Sequence, residues 1–238
     1  MKKNLKKLFL ITIFAASATT MCDAQIKTQL TPETTVLAFD LHGVLFKPNY
    51  GKIISILFKS GKTWTLLKNL FKPAFWCDIK ALKKQHIISE QYIDELIKKY
   101  PKLLSLESTG IEIINAQDPI KSTITILKNL KTKGYKLYLI SNIGPKSLKI
   151  LKKRHNKIIS LFDGFATPTK ANGYLRKPNI QAFKSFIEQN KLQNKQIIFI
   201  DDKKKHLKPA QNAGIQHRIL FKSASKLKKS LKMLGVTA

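Results

Sequence analysis

Polar side chains capable of chemistry stand where apolar stretches of the sequence end. Asp40, Ser141 and Asp201-Asp202 each follow such a stretch, and Lys177 precedes a helical pattern. Because the tips of parallel strands face a common crevice, we expect these side chains to lie together. Adjacent carboxylates repel each other unless a cation joins them, and Mg²⁺ fits Asp40 together with the acidic pair. The lysine and the serine hydroxyl suit a phosphate-like group beside a carboxylate nucleophile.

The elements that would position these side chains alternate between strands and helices. Strands are predicted at Val36–Phe39, Lys136–Ser141, Phe162–Ala166, Ile197–Ile200 and Arg218–Phe221. Helices are predicted at Ile120–Thr132, Lys146–Arg154 and Asn179–Glu188, with a Lys-rich helix at the end of the chain. This alternation predicts an α/β fold with a mostly parallel sheet and helices on both faces.

The stretch from Phe46 to Asn115 has a different pattern, with apolar residues at intervals of three and four. That spacing predicts amphipathic helices, which Pro73 and Pro101 interrupt and one of which begins near Ser89. We therefore predict a helical insert at 47–115 and an α/β core formed by 25–46 and 116–238. The aromatic residues of the insert could roof a pocket, but packing within the insert is favoured: Trp64, Phe71, Phe75 and Trp76.

The formal net charge is +30, and it comes almost entirely from lysine, since the chain has only Arg154, Arg176 and Arg218 as arginines. Base recognition and bidentate phosphate binding favour arginine, and the lysines are spread along the whole chain. The charge therefore argues against nucleic acid as a partner. It favours a solvated basic surface that attracts anionic substrates or surfaces.

The first residues have the pattern of an export signal. A lysine-rich start precedes the apolar segment Leu8–Ala18, which is too short to span a bilayer comfortably. Small residues at 16–18 and 22–24 offer two cleavage sites. We predict a signal peptide at 1–24 and a periplasmic or secreted mature protein with no stable membrane anchor; an uncleaved anchor is the alternative.

The two cysteines depend on where cleavage occurs. Cleavage after Ala24 would leave Cys77 as the only thiol. Cleavage after Ala18 would retain Cys22 and permit a pair with Cys77, which an oxidising compartment would allow. Both alternatives remain open.

From Val36 to Phe221 the sequence resembles the haloacid dehalogenase-like (HAD) superfamily. The motifs follow the family's order: Phe39–Leu45, Leu139–Asn142, Lys177 within Arg176–Asn179, and Phe199–Asp202, continued by Lys208-Pro209-Ala210 and Ala213-Gly214. The resemblance implies a Rossmann-like α/β core of the HAD type. The insert, directly after the first motif, resembles the family's helical (C1-type) cap.

The resemblance also implies roles for the residues that bind substrate. Asp40 would attack the substrate and form an aspartyl-phosphate. Ser141, Asn142 and Lys177 would hold the phosphoryl oxygens, and Lys177 would also restrain Asp40.

The same resemblance implies a Mg²⁺ site. Asp202 would be a ligand, with Asp201 as a further candidate. Asp40 and the main-chain carbonyl of His42 would complete the protein's contribution.

One position departs from the family's phosphatases. They usually carry a second Asp two residues after the nucleophile, which serves as general acid and base, and this chain has His42 there. Histidine can do acid–base work, since its unperturbed pKa of about 6.5 lies near the operating pH. His206 replaces an Asn or Asp common in related phosphatases, and it could be a surface residue or could support the site from behind. The remaining histidines lack metal-like spacing and are interpreted as structural or surface residues: His86, His155 and His217.

These observations favour an exported, Mg²⁺-dependent hydrolase, a phosphatase acting on a small phosphomonoester through Asp40. The first alternative is a 2-haloacid dehalogenase, in which Asp40 would attack carbon without a metal. The second is a catalytically weak protein of the same fold that binds anionic partners through its basic surface.

Overall fold

The computed structural model describes residues 30–59, 68, 72–84, 89–101 and 107–237. Its main sheet has five parallel strands in the order β5-β4-β1-β6-β7. These strands are β1 Thr35–Phe39, β4 Lys136–Ile140, β5 Gly164–Ala166, β6 Gln196–Asp201 and β7 His217–Leu220. A separate antiparallel pair consists of β2 Phe46–Pro48 and β3 Gln117–Pro119. The predicted α/β fold with a parallel sheet is confirmed.

The sheet is parallel because a helix returns the chain to the same edge after each strand. The helices outside the insert are α5 Lys121–Thr132, α6 Pro145–Arg154, α7 Asn156–Ile159, α8 Ile180–Gln189, α9 Lys204–Asn212 and α10 Ala224–Met233. Apolar side chains of α5, α6, α7 and α10 pack in one core cluster, and those of α8 and α9 pack in another with the remaining sheet residues. Helices therefore cover both faces, and the central strands are buried on both sides.

Between β2 and β3 the described chain is helical. The helices there are α1 Tyr50–Lys59, α2 Pro73–Lys84, α3 Ser89–Lys99 and α4 Glu107–Ile114. As predicted, α3 begins at Ser89 and ends before Pro101. In α2, Phe75 is buried and its ring lies 5.2 Å from that of Tyr100, so this residue packs within the insert as expected, whereas Trp76 is exposed.

The strands on either side of the insert, β2 and β3, are hydrogen-bonded to each other. Phe46 pairs with Pro119, and Pro48 pairs with Gln117. Asn49 Nδ2 and Lys52 Nζ then donate to the two carboxylate oxygens of Asp118, at 2.5 and 2.6 Å. The sequence does not predict these strands, because three residues are too few to show a period of two.

Several predictions lie outside the described residues. They concern the signal peptide, the pairing of Cys22, and the positions of Trp64, Phe71 and His86. Cys77 is free and exposed. Among the described residues, no helix combines the length and the apolar character needed to cross a bilayer.

Candidate active site

The central strands bring three of the predicted side chains to one edge of the sheet. Phe39 at the end of β1 is level with Leu139 of β4 and with Ile200 of β6. Asp40 therefore lies beside Asp201, and Ser141 lies just beyond the tip of β4. The main chain continues the ladder for one more residue, since Asp40 N donates to Ile200 O at 2.8 Å.

Asp40 is a buried carboxylate with its two oxygens in different environments. Its side chain is 5% exposed. Oδ1 accepts a hydrogen bond from Leu41 N at 2.7 Å and lies 2.9 Å from Lys177 Nζ. Oδ2 accepts no hydrogen bond from the described residues, so it is the oxygen left for a substrate or a cation.

Lys177 joins the two carboxylates at the strand tips. Its Nζ donates to Asp201 Oδ2 at 2.6 Å and contacts Asp40, although only 1% of its side chain is exposed. The ammonium also lies 5.3 Å from the centre of the Phe199 ring. A buried ammonium remains charged only where partners replace its water, and two carboxylates and a ring do so here. The predicted contact between Lys177 and Asp40 is present.

Asp201 is the anchor of this pair, and it has no exposed surface. Oδ1 accepts from Lys203 N at 2.8 Å, and His206 Nδ1 lies 2.9 Å from Oδ1 and 2.8 Å from Oδ2. Burial alone would raise the pKa of Asp201, but hydrogen bonds from His206 and Lys177 and the charge of Lys177 outweigh it and lower the pKa to about 2. Asp201 is therefore ionised and can only accept, so Nδ1 of His206 carries the hydrogen.

His206 is buried, with 2% of its surface exposed. The sequence left open whether His206 is a surface residue or supports the site. The structure favours the second alternative, because the ring is buried against Asp201. It lies in the first turn of α9, the helix that follows the acidic pair, and this places its ring against Asp201.

Asn142 holds the main chain of Lys177. Its Nδ2 donates to Lys177 O at 2.7 Å, and its Oδ1 accepts from Lys177 N at 2.8 Å. Both ends of the amide are thus used within the protein. These bonds position the loop that carries the lysine, while Nδ2 has a second hydrogen to donate, so contact between Asn142 and the substrate stays a prediction.

Ser141 is buried at the tip of β4. Its N donates to Ala166 O at 3.0 Å, and its Oγ accepts a long hydrogen bond from Ile143 N at 3.3 Å. A hydroxyl that accepts from the backbone keeps its own hydrogen to donate. Ser141 can therefore donate to an oxyanion, as predicted.

The turn after Asp40 is closely fitted to Asp202. Gly43 has a φ of +84°, and a Cβ at this position would lie 2.4 Å from Asp202 Oδ2. A larger residue would be strained by the backbone angle and would also displace the carboxylate. The glycine is thus required on two counts, and Asp202 lies directly over the turn that contains His42.

Asp202 has one carboxylate oxygen without a partner in the described part of the chain. Its Oδ1 is buried and has no hydrogen-bond partner among the described residues. Burial raises the pKa of Asp202 above 3.8, the charges of Asp40 and Asp201 add to this, and Lys203 opposes it. A buried acceptor that repels its neighbours needs a cation or a proton, and the chemistry of this donor set fits Mg²⁺.

A second grouping of possible metal ligands consists of Asp40, Asp201 and His206, whose nearest ligand atoms lie within 4.8 Å of one another. Lys177 Nζ already contacts both carboxylates of that group, and His206 Nδ1 faces Asp201. Both oxygens of Asp201 already accept from donors of the protein, and its role as a metal ligand stays a prediction.

His42 is half-buried beside Asp40. Burial lowers the pKa of His42 below its ordinary 6.5; Asp40 opposes this, and the charges of Lys203 and Lys177 add to it. The imidazole is therefore less often protonated at neutral pH than an exposed histidine. Its main-chain carbonyl accepts none of the main-chain hydrogen bonds of the described residues, and its role as a metal ligand stays a prediction.

The other two described histidines do not enter the site. The ring of His155 packs on Phe46 with centroids 4.9 Å apart. His217 is the first residue of the edge strand β7. Both agree with the structural interpretation.

Comparisons with known proteins cover most of the chain. The family model described as haloacid dehalogenase-like hydrolase matches residues 53–219. The match begins after Asp40, so the first predicted motif rests on its own sequence and on its place in the sheet. No curated protein sequence matches the chain.

Solved structures share the fold. A variant of a HAD-family enzyme from Bacteroides thetaiotaomicron, in complex with magnesium and inorganic phosphate, is 23% identical with a TM-score of 0.55, over 82% of this chain and 98% of that one. A putative HAD hydrolase from Bacillus subtilis, bound to magnesium, is 14% identical with a TM-score of 0.56, over 85% and 99%. L-2-haloacid dehalogenase from Xanthobacter autotrophicus, with chloropropionic acid covalently bound, is 16% identical with a TM-score of 0.54, over 86% and 85%.

Proposed function

Because the chain belongs to the haloacid dehalogenase-like hydrolase family, we propose that it is a Mg²⁺-dependent phosphatase that acts on a small phosphomonoester through an aspartyl-phosphate on Asp40. Membership in the family makes it a hydrolase. The substrate class and the metal are the proposal.

The observation that carries the proposal is the unpaired Oδ1 of Asp202. Three carboxylates, those of Asp40, Asp201 and Asp202, meet at the strand tips, and Lys177 contacts only the first two. The remaining negative charge favours a divalent cation. Asp40, Asp202 and the carbonyl of His42 would hold Mg²⁺, which when bound supplies positive charge to the phosphoryl oxygens.

Asp40, Lys177 and Ser141 each have a distinct role in the proposed reaction. Asp40 attacks phosphorus, so an oxygen–phosphorus bond forms on its carboxylate while the ester oxygen leaves with the bonding electrons. Lys177 and the hydroxyl of Ser141 donate to the phosphoryl oxygens as their charge changes. Water then attacks the aspartyl-phosphate and releases inorganic phosphate and free Asp40.

His42 is the candidate for proton transfer in both steps. It lies two residues after Asp40 on the turn beneath Asp202, and the charge of Asp40 acts on its imidazole. Its imidazolium would protonate the ester oxygen, and the neutral ring would then accept a proton from the attacking water.

The experiment is a panel of small phosphate monoesters assayed for phosphate release, with Mg²⁺ and after chelation by EDTA. We expect release that depends on Mg²⁺ and is lost in Asp202→Ala. Asp94→Ala is the matched control, because Asp94 is an exposed carboxylate on α3. Release that is unaffected by chelation and by Asp202→Ala would refute the metal-dependent mechanism.

A 2-haloacid dehalogenase is the second candidate, and two observations favour it. Lys177 already balances charge between Asp40 and Asp201 without a metal, and the chain lacks an Asp two residues after the nucleophile. Halide release from 2-chloropropionate in the presence of EDTA would support this candidate. The absence of halide release, with phosphate release from the panel, would exclude it.

A further inference from the structure

One helical layer of the core has a surface without free carboxylates. No Asp or Glu occurs between Asp118 and Asp163, and none follows Asp202. These two stretches supply α5, α6, α7 and α10, which all pack on the same face of the sheet. The layer therefore exposes lysines and no acidic side chain from its own helices.

Six of the exposed lysines of this layer define what we call the basic face: Lys128, Lys149, Lys153, Lys228, Lys229 and Lys232. They lie on three helices, α5, α6 and α10, and α5 and α10 are in contact. Helices packed about 8–10 Å apart give a broad surface of uniform sign. The wide spacing and single sign suit an extended anionic surface better than a compact anion.

The carboxylate that borders this layer is already neutralised. Asp163 accepts from Lys131 Nζ at 2.6 Å, from Lys136 Nζ at 3.2 Å and from Leu137 N at 2.9 Å. Its charge is therefore balanced by lysines outside the set that defines the basic face. The six lysines keep their positive charge for an external partner.

We propose that the basic face binds the surface of an anionic lipid bilayer. Lysines near such a surface each contribute about 1 kcal/mol, roughly a fivefold factor in partitioning, without needing a fixed geometry. Met233 adds an apolar contact, because it is 79% exposed next to Lys232 at the end of α10. An exposed apolar side chain among lysines is typical of a surface that reaches the boundary between head groups and acyl chains.

Nucleic acid fits this surface less well than lipid. Specific and bidentate phosphate contacts favour arginine, and the basic face contains none. Arg154 at the end of α6 and Arg218 in β7 donate instead to main-chain carbonyls of the protein, at 3.2 Å and at 2.7 and 2.5 Å.

Docking through this layer would leave the candidate active site open. The site lies at the carboxyl edge of the sheet, whereas the basic face covers the side of one helical layer. The bound protein could therefore accept substrate, and activity on a soluble substrate should be the same on vesicles and in solution.

The test measures partitioning of the full chain onto vesicles made of phosphatidylcholine alone or of phosphatidylcholine and phosphatidylglycerol in equal parts. The first variant replaces four lysines of the basic face by glutamine: Lys128, Lys149, Lys228 and Lys229. The matched control replaces four exposed lysines of the opposite face: Lys184, Lys191, Lys205 and Lys208. Both variants lose the same charge, and any contribution from residues before 30 is common to all proteins.

We expect the wild type to bind the anionic vesicles, with affinity that falls as salt is raised. The basic-face variant should bind about tenfold to a few hundredfold more weakly, and the control should change by less than about threefold. Melting temperatures confirm that all three proteins are folded.

Three results would overturn the proposal. One is the absence of binding to anionic vesicles above that to neutral ones, and another is an equal loss in both variants, which would show that net charge alone is responsible. The third is binding to duplex or single-stranded DNA that is tighter than binding to vesicles and is lost in the basic-face variant, which would assign the surface to nucleic acid.

Discussion

Two neighbouring carboxylates in the site have opposite properties. The pKa of Asp201 is lowered to about 2, whereas that of Asp202 is raised. The difference follows from the strand that ends there, because successive side chains point to opposite sides. Asp201 meets Lys177 and His206, while Asp202 meets the turn at Gly43. Adjacent acids with separated pKa values can take different roles, and here Asp201 is held by donors of the protein while Asp202 is left for the proposed metal.

Asp40→Asn should reduce turnover to below a few per cent of the wild type. The amide keeps the shape of the side chain but is not a nucleophile and is a poor metal ligand. Phosphate release on the best substrate measures the effect, and the melting temperature tests whether the fold is kept. Asp94→Asn on α3 is the control for the same chemical change at an exposed site. Substantial residual activity would contradict the covalent mechanism.

His42→Ala should lower kcat on an alkyl phosphate by about 10²–10⁴-fold, the range of a general acid–base catalyst. The loss should be small on nitrophenyl phosphate, whose leaving group departs without a proton. His42→Asp should recover much of the loss on the alkyl ester. Equal activity of the wild type and His42→Ala on the alkyl ester would show that His42 transfers no proton.

His206 is expected to act through Asp201 and Lys177, as a positioning residue. His206→Leu removes the hydrogen bond to a fully buried carboxylate and should lower kcat by about tenfold or more, because small misplacements of reacting groups are costly. His206→Asn offers an amide donor near the position of Nδ1 and should stay within about threefold of the wild type. Separate measurement of kcat and KM, with melting temperatures, distinguishes this role. Equal losses in both variants would indicate that the ring contributes only packing.

At the scale of the elements, local patterns predicted the strands of the main sheet and most of its helices. The helix predicted at Ile120–Thr132 is observed at Lys121–Thr132, and the strand predicted at Ile197–Ile200 extends by one residue at each end. Asp40 and Ser141 could be placed because strand tips converge, and Lys177 because it precedes a predicted helix. The hydrogen bonds between Asn142 and Lys177 could not be predicted, because they join a strand end to a loop 35 positions further along the chain. Pro209 inside α9 also obscured that helix and with it the position of His206.

Asp163 ties the end of α5 to the start of β4, and this contact predicts a pH effect on stability. Burial raises the pKa of Asp163, but hydrogen bonds from Lys131, Leu137 N and Lys136 outweigh it and lower the pKa below 3.8. A lowered pKa in the folded state stabilises the protein above pH 3.8, and the contribution is lost as the pH falls through the folded-state value.

Asp163→Asn keeps an acceptor for Leu137 N but removes the charge. We expect it to lower the free energy of unfolding by about 1 kcal/mol at neutral pH. The difference from the wild type should vanish in acid below the pKa of the folded carboxyl. Urea unfolding of both proteins above and below pH 3.8 provides the measurement. A constant difference at every pH would mean that the charge of Asp163 is not responsible.

For the whole molecule, Mg²⁺ should raise the melting temperature. A ligand that binds only the folded state adds about 2.7 kcal/mol at a concentration 100 times its Kd, which for a chain of this size corresponds to a rise of about 5–10 °C. Asp202→Ala should abolish the rise. Ca²⁺ and Na⁺ at matched ionic strength control for general salt effects. A melting curve that Mg²⁺ leaves unchanged in the wild type would favour the metal-free candidate.

The pairing of β2 with β3 brings two points of the chain, Pro48 and Gln117, to neighbouring positions about 5 Å apart. The chain between Pro48 and Gln117 therefore begins and ends at the same two-stranded sheet. The length and shape of that stretch are therefore free of any constraint from the strand tips, and a different stretch could replace it while Asp40, Lys177 and Asp202 stay in register. A change confined to that stretch should therefore leave the positions of these three side chains unaltered, because the stretch and the strand tips are separate parts of the chain joined at a single pair of strands.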